Sequence, residues 1–288
     1  MNREVIIRAI AYLSCAEKGR SIAIDKKYIL ENLDADDFDR HWDEMCKLFA
    51  DTIGYLQKHH FVMAESWMPS ENMLIPIMLF LRQAKGFERI SEAQRCFLEF
   101  WYWSSIFANK YSTSSNEVII TDSNALIQVA KEDKITKTGY FMHLRSVITE
   151  QDDLYSYSKK TSGVYRGILN LVGYASKGLI GWNNNQAVDF TMQLEDHHIY
   201  PRGYISSNVK LDLNKEEAEQ LVDCVINRTL IPKITNITIG KKAPQIYMAE
   251  LKAKNETFEN SLQGHLIPLE MYREEILDER FTDLRVVP

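Results

Sequence analysis

The sequence predicts a mainly α protein: a helical N-terminal body over residues 1–182, followed by a small α+β domain over 183–288. Three observations point there. Seven prolines and twelve glycines in 288 residues leave room for long regular elements. Through the first 180 positions apolar residues recur at spacings of three and four, the period of helices with one buried face. After Phe190 that period gives way to short apolar runs that read as strands. At about 150 residues per domain, the length also favours two domains.

The first helix carries Ile6, Ala9, Ile10 and Leu13, with Gly19 as its stop. A second is expected from Asp37 to Lys58, where Phe38, Trp42, Met45, Phe49, Ile53 and Leu56 form one stripe and Asp36 can cap the start. Pro69–Pro76 reads as an exposed turn leading into Ile77–Leu81. Ser91-Glu92-Ala93-Gln94 has the form of a capping box and opens an aromatic-rich helix, Phe97 through Trp103. These aromatics are expected to fill a core, because no basic residues interleave them as base stacking on a strand would need. The polar run Tyr111–Ser115 breaks the pattern. Helical spacing returns over Ser123–Ala130 and Val164–Val172, and Gly181–Asn185 reads as a boundary loop. Beyond it, Met192–Ile199 and Val222–Ile231 are the expected strands, with a polar, helical stretch Asn214–Leu221 between them. Ala243–Lys254 follows as a helix. Strand, long connection, strand and helix form the skeleton of a ββα module.

Composition excludes several classes. With 45% apolar and 26% charged residues and a mean hydropathy of -0.29, the chain is not a disordered one. Four cysteines without a CxxC pair argue against a thiolate zinc site or a disulfide framework and for a reducing, cytoplasmic setting. No run approaches the ~18 apolar residues of a membrane span, so no membrane partner is expected. Arg3, Glu4 and Arg8 interrupt the start, and no signal peptide is expected there. The net charge of -6 opposes non-specific nucleic-acid binding. Yet His197–Lys254 holds nine Lys/Arg against six Asp/Glu, a local basic excess suited to a phosphate backbone.

The chemistry concentrates in Leu194-Glu195-Asp196-His197-His198-Ile199-Tyr200-Pro201. The other pair, His59-His60, has no partner motif and reads as solvated, and His41, His143 and His265 are isolated. After His198 come Asn227-Arg228-Thr229-Leu230 and then Thr235-Asn236, with the two asparagines nine positions apart. Histidine, asparagine, asparagine on strand, strand and helix is the layout of an HNH site. Hydrolysing a phosphodiester needs a base near neutrality, which imidazole supplies, and a cation against the scissile phosphate. His198 is the expected base. His197 and Asn236 are the expected ligands of a divalent ion, Mg²⁺ or Mn²⁺, leaving positions for water and phosphate. Asn227, the second expected catalytic position, would fix the loop between the strands. Neighbouring side chains on a regular strand leave opposite faces. His197 and His198 therefore share a site only if the strand distorts or ends there; otherwise Asp196 takes the ligand role or orients an imidazole. Arg228, Lys241 and Lys242 flank the site as candidate phosphate contacts, with Arg202 beside them.

These stretches, together with Gly240-Lys241-Lys242-Ala243-Pro244-Gln245-Ile246-Tyr247, resemble the C-terminal HNH domain of restriction nucleases of the GmrSD type. Pro69–Pro76 and Lys110-Tyr111-Ser112 are similar to the helical segment that precedes it in that group. The resemblance implies a metal-dependent DNA endonuclease acting in defence against foreign or modified DNA, with His198 as base and His197 and Asn236 on the metal. The group often has an acidic residue where His197 stands, and the neutral ligand implies a preference for Mn²⁺ over Mg²⁺. No DGQQR-like motif is present, so a nucleotide-dependent partner would be a separate domain or chain. DNA is the expected partner, and a homo-oligomer would allow paired nicks. The alternatives are a non-catalytic nucleic-acid-binding or assembly subunit on the same scaffold, and an RNA-cutting toxin.

Overall fold

The computed structural model describes residues 2–113, 116–132, 144–208 and 214–269. Ser114, Ser115, His143 and the C-terminal stretch 270–288 lie outside them. The fold is mainly helical, with one two-stranded sheet. It divides into two compact units, Met1–Leu56 with Pro69–Val147, and Gln57–Met68 with Ile148–Pro288.

The first unit begins with α1 (Arg3–Glu17), capped by Asn2, and Gly19 turns the chain at φ 62°. The short α2 (Lys26–Asn32) is capped by Asp25. Helix α3 (Ala35–His60) starts earlier than its apolar stripe predicts. Asp34 and Asp37 exchange side-chain-to-backbone bonds of 2.9 and 3.2 Å, so Asp34, not Asp36, caps it. Pro69–Pro76 is largely buried rather than an exposed turn: a 3-10 turn at Glu71–Met73 runs directly into α4 (Leu74–Ala84). Pro76 falls in the first helical turn, where a missing N–H costs no intrahelical bond. Every residue of α4 from Leu74 to Leu81 is buried, and the helix packs most extensively on α6 (Asn116–Lys131) and also on α1. Ser91 and Gln94 form the expected capping box at the start of α5 (Glu92–Phe107). Trp101 and Tyr102 are core residues, while Phe97 and Trp103 are half-buried.

In the second unit, α7 (Gly163–Ala175) precedes β1 (Leu194–His198). Then come α8 (Arg202–Asn208), α9 (Lys215–Asp223), β2 (Arg228–Pro232), α10 (Lys233–Ile239), α11 (Pro244–Lys254) and α12 (Phe258–Gly264). The second strand is shorter than Val222–Ile231. Asn214 caps α9 in a reciprocal box with Glu217, and the helix consumes Val222 and Asp223. A 3-10 turn then takes Val225–Asn227. The strands pair antiparallel, with His197 opposite Thr229 and His198 opposite Arg228. Both faces of the sheet are covered. Leu194 and Leu230 join Trp67, Tyr165 and Leu169 in one core. Ile231, on the other face, joins Trp182, Tyr200, Tyr247 and Phe258. Gly181–Asn185 is therefore no open linker: Trp182 is wholly buried, and Gly181 N–H donates to the Gln186 carbonyl at 2.7 Å. His60, expected in solvent, is buried and stacks near Tyr174.

Phe80 in α4 has no exposed surface. Phe80→Ala is expected to lower stability by about 3–5 kcal/mol, read as a shift of the urea midpoint at unchanged slope.

Candidate functional site

The polar residues of β1 sort by the two-residue period of the strand. Leu194, Asp196 and His198 leave one face; Glu195 and His197 leave the other. The pairing is regular through His198, so the two imidazoles diverge.

On the first face Asp196 is 4% exposed. It accepts from Tyr165 Oη at 2.7 Å and pairs with Arg228 at 3.2 Å and with Lys160. The Arg228 side chain, 7% exposed, also reaches Asp223 at 2.8 Å. Two carboxylates thus neutralise a guanidinium that the sequence reading assigned to a phosphate, and that commitment argues against a surface role. His198 Nε2 lies 2.8 Å from Asp223 Oδ1. A carboxylate accepts, so the ring carries its proton on Nε2. Nδ1 then holds a lone pair, with no hydrogen bond among the described residues. Burial lowers the His198 pKa, and Arg228 lowers it further, against the opposing pull of Asp223. Burial pushes the Asp223 carboxyl up, but the bond from His198 and the charges of Arg228 and Arg202 bring it below the usual range. The result is a neutral histidine on a carboxylate, with its side chain 22% exposed.

On the second face His197 is 2% exposed. Its Nδ1 lies 2.8 Å from Asn236 Oδ1. Asn236 sits on α10, the helix directly after β2, and its Nδ2 donates to Glu195 Oε2 at 2.6 Å. That bond fixes the amide with its oxygen toward the imidazole. The ring of His197 meets Trp182 and Tyr247 edge-on, and its Nε2 has no hydrogen-bond partner among the described residues. Burial lowers its pKa to about 4. Asn227, in the turn before β2, holds the end of β1. Its Oδ1 accepts from Tyr200 N–H at 2.8 Å, and its Nδ2 donates to the carbonyls of Tyr200 and Val222 at 3.2 and 2.8 Å.

The donor set can be tested against a divalent ion. Two ligands on adjacent vertices of an octahedral ion with bonds of about 2.1 Å stand about 3 Å apart, and His197 Nδ1 and Asn236 Oδ1 are 2.8 Å apart. The amide oxygen only accepts, so the ring donates from Nδ1–H, and an ion at this position would have to replace that proton, moving the ring's remaining N–H to Nε2. Among the described residues no three His, Cys, Asp or Glu side chains form a metal cluster. An ion here would rest on two protein ligands, with water or phosphate in the remaining positions.

The sequence-predicted residues therefore fall into groups. His197 and Asn236 meet; His198 joins Asp223 instead of Asn236; Asp196 orients neither imidazole. Lys242 pairs with Glu250 at 2.5 Å, and Lys241 is exposed beside Gly240. Asp223, Glu195 and Tyr165 escaped sequence reasoning. Only Glu195 had a signal, its place two positions before His197. His265, taken as isolated, is buried; its Nε2–H donates to the Ile180 carbonyl at 2.9 Å, and its Nδ1 accepts from Thr229 at 2.6 Å.

No known family model matches the chain. It is 31% identical over 188 residues to a protein of Methanocaldococcus jannaschii named Uncharacterized protein MJ0686. That match covers 60% of this chain and 30% of the relative, so the chain spans less than a third of the relative's length.

Two predictions follow from these bonds. Asn227→Ala strands three buried backbone groups and is expected to cost about 2–4 kcal/mol, measured by chemical denaturation. Burial lowers the pKa of His265 from 6.5 to about 4. The unfolded chain then binds a proton that the folded one refuses. This stabilising contribution is complete above pH 6.5 and is lost as pH falls toward 4, so the thermal midpoint should decline across that window.

Proposed function

We propose that the second unit is a divalent-metal-dependent HNH nuclease that hydrolyses DNA phosphodiester bonds. The observation that carries this reading is the approach of His197 Nδ1 and Asn236 Oδ1 to 2.8 Å within a strand–strand–helix unit. His197 and Asn236 would hold the ion, and a bound divalent ion supplies positive charge against the oxygens of the scissile phosphate. His198 takes the proton of the attacking water at Nδ1; its lowered pKa keeps it neutral and able to accept at pH 7. Asp223 holds the ring through Nε2–H and stabilises the imidazolium that forms. Asn227 is a positioning residue that keeps the end of β1 in place. Arg228 is another, fixing Asp223 from the opposite strand. Lys241 and Lys242 would contact neighbouring phosphates. For one phosphate to meet both His198 and the His197–Asn236 pair, it would have to sit at the end of β1, where the strand stops at His198. In keeping with the GmrSD-type resemblance, the DNA would be foreign or modified.

A second reading, a non-catalytic nucleic-acid-binding or assembly subunit, draws on the divergence of His198 and Asn236 to opposite faces. One assay separates the two: supercoiled DNA, single-stranded DNA and RNA, each incubated with Mn²⁺, Mg²⁺ or chelator. Mn²⁺-dependent nicking of DNA is expected, falling at least ~100-fold in His198→Ala and lost with metal binding in Asn236→Ala. Protein that binds Mn²⁺ and DNA yet cuts nothing would overturn the nuclease, and cleavage confined to RNA would reassign the substrate.

A further inference from the structure

We propose that the first unit carries an oxyanion-binding site built on Arg8, for a small carboxylate or phosphate ester. Arg8 projects from α1 and is 9% exposed. Its guanidinium donates to Asn72 Oδ1 at 2.7 Å, to Asn116 Oδ1, and to the Ile24 carbonyl at 3.4 Å. All three acceptors are neutral, and among the described residues no carboxylate lies within ion-pair distance of Arg8; Glu4, also in the cavity wall, acts on its charge from farther away. By contrast, the little-exposed side chains of Arg228 and Lys110 both contact carboxylates. A buried charge with no contacting carboxylate is costly, and burial outweighs Glu4 in lowering the Arg8 pKa; here the charge borders open space. Arg8, Asn72 and Asn116 line a cavity of about 720 Å³, within the range of small-molecule sites.

The hydrogen-bond inventory sets what that cavity accepts. A guanidinium has donors only, so each asparagine must turn its oxygen toward Arg8. The Nδ2 groups of Asn72 and Asn116 are then left as donors, beside the unused N–H groups of Arg8. Positive charge with N–H donors around it matches an oxyanion. Lys26 adds a second cation to the lining. Glu4, Asp25 and Glu71 also line the cavity. Asp25 is committed to the Tyr28 N–H, and Glu71 to Asn2. These carboxylates define the rest of the ligand: its remainder should carry hydroxyl or amino donors and no second strong negative charge. Asn72 belongs to the Pro69–Pro76 stretch, to which the proposed cleavage chemistry assigns no role.

The test is calorimetric titration of the whole protein with inorganic phosphate and, separately, acetate, at fixed ionic strength. Saturable binding of at least one is expected, and whichever binds identifies the ligand as a phosphate ester or a carboxylate. Arg8→Met should abolish binding but risks unfolding the unit. Asn116→Asp avoids that risk: it keeps an acceptor on Arg8 while putting a carboxylate in contact with it and removing one donor. It should retain the wild-type circular dichroism and melting temperature or melt higher, and bind at least tenfold more weakly. Absence of saturable binding of both anions by the wild type, or equal binding by Asn116→Asp, overturns the site.

Discussion

The second unit depends on the antiparallel pairing of β1 with β2. Five residues of each strand are paired in a register that runs unbroken from Leu194 opposite Pro232 to His198 opposite Arg228. Because both faces of this sheet are packed, the register decides which of two cores receives each side chain. Asp196 and His198 are sent to the Tyr165 and Arg228 side; Glu195 and His197 to the Trp182 and Asn236 side. A slip of one position would exchange them all. The two cores hold the ribbon flat against competing pairings, and a ribbon of two strands has little stability without such cover.

Two little-exposed guanidinium groups, Arg228 and Arg8, are handled differently. Around β1 the burial of Arg228 is offset by Asp196 and Asp223, and Asp196 is further met by Tyr165 and Lys160. Such a network gives each member a fixed geometry, although Arg228 Nε–H is buried with no hydrogen-bond partner among the described residues. Its cost is availability, since the Arg228 side chain is 7% exposed and both of its terminal nitrogens are held by carboxylates. In the first unit Arg8 meets only amide and carbonyl oxygens, and its charge stays available. The contrast is one of counter-charge, not of depth.

Much of this was legible in the sequence. The mainly helical fold, the capping box at Ser91 and Gln94, and the helix ending near Lys254 followed from period and caps, which are local signals. Where tertiary contacts decide, local signals failed. Pro69–Pro76 looked like a solvated turn because its polar and proline content said so, yet Met73 through Leu81 are buried by neighbouring helices. Val222–Ile231 looked like one strand because Val, Ile and Leu do not distinguish a helix end from a strand; the cap at Asn214 settles it. The His197–Asn236 pairing followed the motif spacing. The Asp223 partner of His198 did not, since a carboxylate at the end of a preceding helix has no fixed sequence offset from a strand. His265 was invisible for the same reason: it reaches Thr229 from beyond the ββα segment.

Asn227 has a topological effect besides its hydrogen bonds. One side chain grips Tyr200 at the exit of β1 and Val222 near the return to β2. The chain between these points leaves and re-enters through a clasp, and the sheet does not register its contour length. Closing a longer loop adds little entropy once its ends are pinned. Between the two gripped points this architecture can thus accept inserted residues, or a whole grafted module, with the strands undisturbed.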